Sequence, residues 1–137
     1  MFNDKFEIEI PIQQSDIDML GHVNNTVYLK WVQQAAIAHW NALTSLEERE
    51  TLLWVVARHE IDYKRPVFLE DKSIIARTWV GEANTRTFAR HTEIVRKNDG
   101  KLSAQAKTLW VPVDSKTKKP VRPGPEVYAR FSTPTQE

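Results

Sequence analysis

Apolar and polar residues alternate singly at the start of the chain. Phe6, Ile8, Ile10 and Ile12 fall on one face and Lys5, Glu7, Glu9 and Gln13 on the other, which predicts a half-buried strand. A polar segment, 14–22, follows, with Gly21 as its punctuation. From Asn24 or Asn25 to about Leu43 the period becomes helical. Val27, Tyr28, Trp31, Val32, Ala35, Ala36, His39 and Leu43 recur at spacings of three and four, and both asparagines are good N-cap residues. The apolar stripe includes Trp31 and is broad, so the helix is expected to pack deep against a sheet.

A charged patch at 47–50 leads into a second half that reads as strands at 53–63, 73–80, 85–97 and 101–113. Asn98-Asp99-Gly100 is a strong turn signal, so the last two strands are expected to form an antiparallel hairpin. A basic, proline-rich stretch at 116–125 precedes a short helix expected at 126–131, and disorder is expected only in 132–137. One strand, a long helix and four strands suit an α+β domain with the helix laid across a curved antiparallel sheet. Periodicity alone leaves other α+β arrangements open.

At 137 residues the chain fits one domain, with enough buried surface for one core. Its net charge of +1 gives no reason to expect a nucleic-acid partner. With no cysteine there is no disulfide framework, no thiolate zinc site and no thiol nucleophile. No apolar run is long enough to span a membrane, and the first ten residues hold acids rather than an apolar core, so no signal peptide and a cytoplasmic location are expected.

The chemistry concentrates in the stretch DIDMLGHVNNTVY, residues 16–28. Two carboxylates, Asp16 and Asp18, stand just before a glycine, a histidine and a helix start. A helix N-terminus presents unpaired amide N–H groups that can polarise a carbonyl and hold an oxyanion. A carboxylate opposite can attack that carbonyl or deprotonate a water. Each residue also has an ordinary reading: a turn or cap for either aspartate, capping or packing for His22.

This segment resembles the signature of the 4-hydroxybenzoyl-CoA thioesterase-like family of hotdog-fold acyl-CoA thioesterases. The stretch IDYKRPV at 61–67, followed by Glu70 and Asp71, resembles that family's second strand and its exit. The resemblance runs from about Phe6 to Val113 and leaves 114–137 as a C-terminal extension of a single domain, 1–137. It implies a hotdog fold, a long central helix wrapped by a five-stranded antiparallel sheet, and hydrolysis of acyl thioesters to free acid and thiol. The family's catalytic aspartate, second of the D-x-D pair, corresponds to Asp18, as nucleophile or general base. The carbonyl-polarising amide would belong to Asn25, where some relatives carry histidine; here the histidine is His22, four residues after Asp18, expected to orient or line the pocket. The resemblance further implies a homodimer or dimer of dimers, with sheets packed edge to edge and sites at the interface.

Coenzyme A carries several phosphate charges, so basic residues should receive it. The candidates are Lys64, Arg65, Arg86 and Arg90, the last two expected on one strand face, with Tyr28 added to the substrate-binding set. A solvated charged face is the ordinary alternative. An acyl carrier protein, being acidic, would suit the same patch. The five tryptophans are expected mostly in the core, with Trp31 and Trp40 near the acyl group. No metal-ligand spacing or phosphate-loop motif occurs, so neither a metal nor a cofactor is expected. Two other readings compete: a hotdog hydratase acting on 2-enoyl thioesters, whose dyad sits differently, and a module that binds acyl thioesters without turnover.

Overall fold

The computed structural model describes residues 5–84 and 86–131; Thr85, where a strand was expected to begin, and the expected disorder of 132–137 lie outside the described residues. The elements run β1 (Phe6–Pro11), a 3-10 turn (Gln14–Asp16), α1 (Asn25–Leu43), α2 (Leu46–Thr51), β2 (Leu52–Tyr63), a second 3-10 turn (Leu69–Asp71), β3 (Ser73–Ala83), β4 (Phe88–Arg96), β5 (Leu102–Asp114) and α3 (Pro125–Ala129). The five strands form one sheet in the order β1-β3-β4-β5-β2, every neighbouring pair antiparallel. This is the hotdog arrangement, with α1 as the filling.

The alternation of β1 does what its pattern requires. Ile10 is buried while Glu7, Glu9 and Pro11 face solvent. Asn24 caps α1, its side-chain oxygen accepting from the Thr26 N–H at 2.9 Å. The stripe Val27, Tyr28, Trp31, Val32, Ala35, Ala36 and His39 is buried, against β1, β3 and β4. On the sheet, Ala76 and Ala104 stand beside Ile74 and Ile94 in the core, and small side chains let a helix carrying Tyr28 and Trp31 approach closely. Leu52–Tyr63 bends at a β-bulge between Val56 and Arg58.

The charged patch at 47–50 is not a simple bridge but belongs to α2. Ser45 and Glu48 form a reciprocal capping box there, a signal present in the sequence as S-x-x-E. Arg49 then donates to the Thr44 and Asn41 carbonyls, and Arg130 to that of Leu43. Two cations thus meet the negative end of the α1 dipole. Arg130 also pairs with Glu48 through both terminal nitrogens, at 2.8 and 2.7 Å, and Phe131 stacks on Trp40 at 5.6 Å.

A polar layer lies inside the core. Thr78, Thr92 and Thr108 are buried on three adjacent inner strands. Thr78 donates to the His91 carbonyl at 2.8 Å, and its hydroxyl lies 3.1 Å from that of Thr92. Arg90 reaches from β4 to His39 Nδ1 at 2.9 Å and Thr78 Oγ1 at 3.1 Å. Since the Arg90 donor occupies Nδ1, that nitrogen must be the unprotonated acceptor. Phe6 and Phe131 enclose the ring of His39.

Two predictions follow from these contacts. Glu48 is held down to about 2, chiefly by Arg130, so the pairing is intact above the ordinary value of 4.5 and is lost as pH falls toward 2. Arg130→Met should therefore lower amide-exchange protection over 125–131 while leaving β3, β4 and β5 protected. Unchanged protection of α3 would remove the anchoring role. His39 is held down to about 4 by burial and then by Arg90. The unfolded chain takes up that proton near 6.5 and the folded one does not, so stability should decline as pH drops from 6.5 toward 4. Denaturant titrations of the protein and of His39→Gln across that window check this; parallel pH profiles would refute it.

Candidate active site

The segment between β1 and α1 is a miniature hairpin. Asn24 N–H donates to the Asp16 carbonyl at 2.9 Å, and Asp18 N–H to that of His22 at 3.0 Å, with Ile17 and Val23 bridged between them. The chain reverses through Met19, Leu20 and Gly21, and Gly21 adopts φ +86°, a left-handed value that any other residue would strain to reach. Val23 N–H donates to the Val67 carbonyl at 2.8 Å, tying the hairpin to the loop after β2. The result fixes the hairpin that carries Asp18 in the segment leading directly into α1.

The two aspartates separate in role. Asp16 Oδ2 accepts from the Gln13 N–H at 2.9 Å, which is the ordinary capping role for that residue. Asp18 is half-buried. Its Oδ1 accepts from the Leu20 N–H at 2.9 Å and lies 3.8 Å from His22 Nδ1. Oδ2 has no hydrogen-bond partner among the described residues, so one oxygen is anchored and the other is available for chemistry. His22 packs edge-on to Phe68 at 6.4 Å and is one-third exposed.

Asn25 opens α1, where its N–H has no intrahelical acceptor, and its side chain is exposed. Its carbonyl accepts from the Tyr63 hydroxyl at 3.2 Å, so the end of β2 is fixed to the start of α1. Tyr63 meets Tyr28 edge-to-face at 5.2 Å. Tyr28 itself is a core residue, its phenol pushed up to about 12 by burial, rather than a surface contact for coenzyme A. Lys64 and Arg65 are exposed just beyond Tyr63, with Arg65 donating to the Leu102 carbonyl at 2.9 Å. Asp18, His22, Asn25, Lys64 and Arg65 thus gather at one pole of the domain.

Arg86 and Arg90 are elsewhere and do not share a strand face. Arg86 precedes β4, exposed in the turn after β3, where its N–H donates to Asn84 Oδ1 at 3.0 Å. Arg90 is buried on the helix-facing side, in the polar layer and in the wall of a cavity, not on a solvated strand face. The four-residue spacing was right for a strand, but the strand begins only at Phe88.

A cavity of about 490 Å³ occupies this second pole, between the later half of α1, the start of β2 and α3. Trp40, Trp54 and Trp110 line it, whereas Trp31 is in the main core and Trp79 lies under Lys5, 4.3 Å from its ring. The α1 residues that line it run from Gln33 to Asn41, roughly 12 to 24 Å along the axis from Asn25. Sequence reading missed the cavity because α3 and α2, which help enclose it, come from segments read as tail and bridge. Among the described residues no group of three or more His, Cys, Asp or Glu side chains is set to hold a metal, and no helix is long and apolar enough to cross a membrane.

The profile of the thioesterase-like superfamily matches residues 12–131, so the match includes the C-terminal segment to which the resemblance did not extend. Long-chain acyl-CoA thioesterase FadM of Escherichia coli is 25% identical over 118 residues, 82% of this chain and 86% of that protein. The crystal structure of a DHNA-CoA thioesterase from Staphylococcus aureus superposes with a TM-score of 0.80 at 19% identity, covering 93% of this chain and 88% of that one. A thioesterase from Thermus thermophilus, crystallised with coenzyme A and Zn, superposes at 0.78 with 24% identity, covering 91% and 90%.

Proposed function

The chain belongs to the thioesterase-like superfamily, and from that premise we propose that it hydrolyses acyl-CoA thioesters to a free acid and a thiol, with Asp18 as the reacting carboxylate. The observation that carries this reading is the division of labour at Asp18. Oδ1 is fixed by the Leu20 N–H, which leaves Oδ2 open in the hairpin that leads into α1. With the thioester carbonyl oxygen on the Asn25 N–H, the carbonyl carbon is polarised by the helix end. Oδ2 then drives attack on that carbon, either by taking a proton from water or by bonding to it directly. Both routes break the C–S bond and release the thiolate, which is then protonated; on the direct route water then hydrolyses the acyl–Asp18 anhydride, giving the free acid and restoring the carboxylate. His22, 3.8 Å from Oδ1, orients the carboxylate. Lys64 and Arg65 supply positive charge for the coenzyme's phosphates at the same pole.

The second pole joins the first if two copies pair through β2. That strand is an edge of the sheet, and it exposes Leu53, Val55 and Tyr63. Exposed backbone donors and acceptors beside apolar side chains favour pairing with a second copy. Antiparallel pairing about a two-fold axis near the middle of β2 sets the start of one strand against the end of the other. The cavity of one subunit, at the start of β2, then lies beside Asn25 and Asp18 of the second copy, and Arg86 comes round to the Lys64 pole. Met19 and Leu20, almost wholly exposed at the hairpin tip, gain a surface to cover them.

Thiol release from short, medium, long and aromatic acyl-CoAs should be measured beside Asp18→Asn. The variant is expected to lose about a hundredfold or more of the rate while keeping its fold and its affinity for acyl-CoA. Undiminished turnover would remove Asp18 from the mechanism. His22→Ala should cost less than Asp18→Asn, and the reverse order would make the histidine the acid–base group. Sedimentation should find a dimer or a multiple of it, dissociated by Leu53→Lys with Val55→Lys. A fully active monomer would refute the paired site.

A further inference from the structure

Arg90 is a cation in an apolar wall with no carboxylate beside it among the described residues. The cavity is lined chiefly by aromatic and aliphatic side chains, and among the described residues the charged ones in its lining are Arg49 and Arg90. Arg49 is committed to carbonyls at the end of α1. Arg90, more than nine-tenths buried, directs Nη1 at two neutral acceptors, His39 Nδ1 and Thr78 Oγ1. No carboxylate lies within ion-pair distance of it among the described residues. A buried guanidinium without a counter-charge is costly, and structures that keep one ordinarily supply an anion.

A second observation comes from the same wall. The indole N–H groups of Trp54 and Trp110, both cavity residues, are buried with no acceptor among the described residues. Buried donors without partners are uncommon, and these two, shielded from the cavity space as well as from water, leave Arg90 as the charged group that an occupant can answer. The complement of an apolar wall that holds one uncompensated cation is an apolar molecule that ends in a negatively charged oxygen group.

We propose that the cavity receives the acyl part of the substrate, that this acyl part carries a carboxylate distant from the thioester, and that Arg90 selects it. The inference rests on the thioesterase reading for its substrate but not for its test. Because Trp40, Trp54 and Trp110 line the cavity, binding of a free acid or alcohol is followed by tryptophan fluorescence without any turnover. Octanoate and 1-octanol share a chain length and differ only in whether the chain ends in a carboxylate. The unaltered protein should bind octanoate roughly 10- to 100-fold more tightly than 1-octanol, the range of one charge-assisted hydrogen bond or pair. Arg90→Met should erase or invert that preference, and Arg90→Lys should keep part of it. Equal or tighter binding of 1-octanol by the unaltered protein overturns the proposal, whether or not the variants fold. Hydrolysis is scored separately with suberoyl-CoA and octanoyl-CoA. Turnover of octanoyl-CoA without a preference for octanoate over 1-octanol leaves a thioesterase whose Arg90 is structural. Selective binding of octanoate without turnover of either thioester keeps the site and removes the hydrolase.

Discussion

The burial of α1 in the concave face of the sheet is the constraint on which the other features depend. Val32 and Ala35 have no exposure at all, and the helix meets β1, β3 and β4 along its length. A helix held this way cannot shift, so its two ends appear at fixed and opposite poles. The N-terminal end offers amide donors, and the hairpin that carries Asp18 leads directly into it. The C-terminal end offers carbonyls, and the chain answers with Arg49 and Arg130. One pole is thereby left open for an incoming oxygen, and the other is closed by the protein's own cations.

That division explains why the parts of a hydrolytic site are found apart in a single copy. The carboxylate and the helix start are at one pole, and the cavity is at the other, beyond the reach of a group bound at Asn25 of the same chain. The sheet order resolves this economically, because β2 is an edge strand that runs from the cavity pole to the Asp18 pole. In the dimer proposed above, self-pairing of that edge superimposes unlike poles, and the apolar residues along β2 would be covered by the same contact.

Much of this was legible in the sequence, for reasons that differ by element. The α1 stripe is unambiguous because a period near 3.6 is sustained from Val27 to Leu43, and Asn24 states the start chemically; the helix observed is Asn25–Leu43. The β4–β5 hairpin announces itself through Asn98-Asp99-Gly100, where Gly100 takes φ +70°. What stayed hidden depends on tertiary contacts. The helix α2 is six residues long, too short for periodicity, although its capping box was there to be read. Arg90 looked like surface because arginine usually is; only its neighbours His39, fifty-one residues away, and Thr78 reveal a buried role. Asp18 was singled out through pattern and resemblance, but the distinction between its two oxygens comes from the Leu20 N–H, which no pattern contains.

The polar layer gives the last step. A core of this size has no need of threonines on three adjacent strands, since valine would fill the same volume without a hydroxyl to satisfy. The hydroxyls of Thr78 and Thr92 satisfy each other, and Thr78 in addition accepts from Arg90. Thr78 thus holds the guanidinium, with His39 kept neutral opposite it so that its ring can accept rather than repel, while Thr108 turns to His59 Nδ1 at 2.9 Å. A charge supported on its protein side by neutral acceptors alone keeps its full sign toward the cavity. Pairing it internally with a carboxylate would have stabilised the fold more cheaply and left nothing to attract a ligand. The arrangement trades core stability for an electrostatic feature in an otherwise apolar cavity, and such a trade is most readily understood where the protein must recognise what enters.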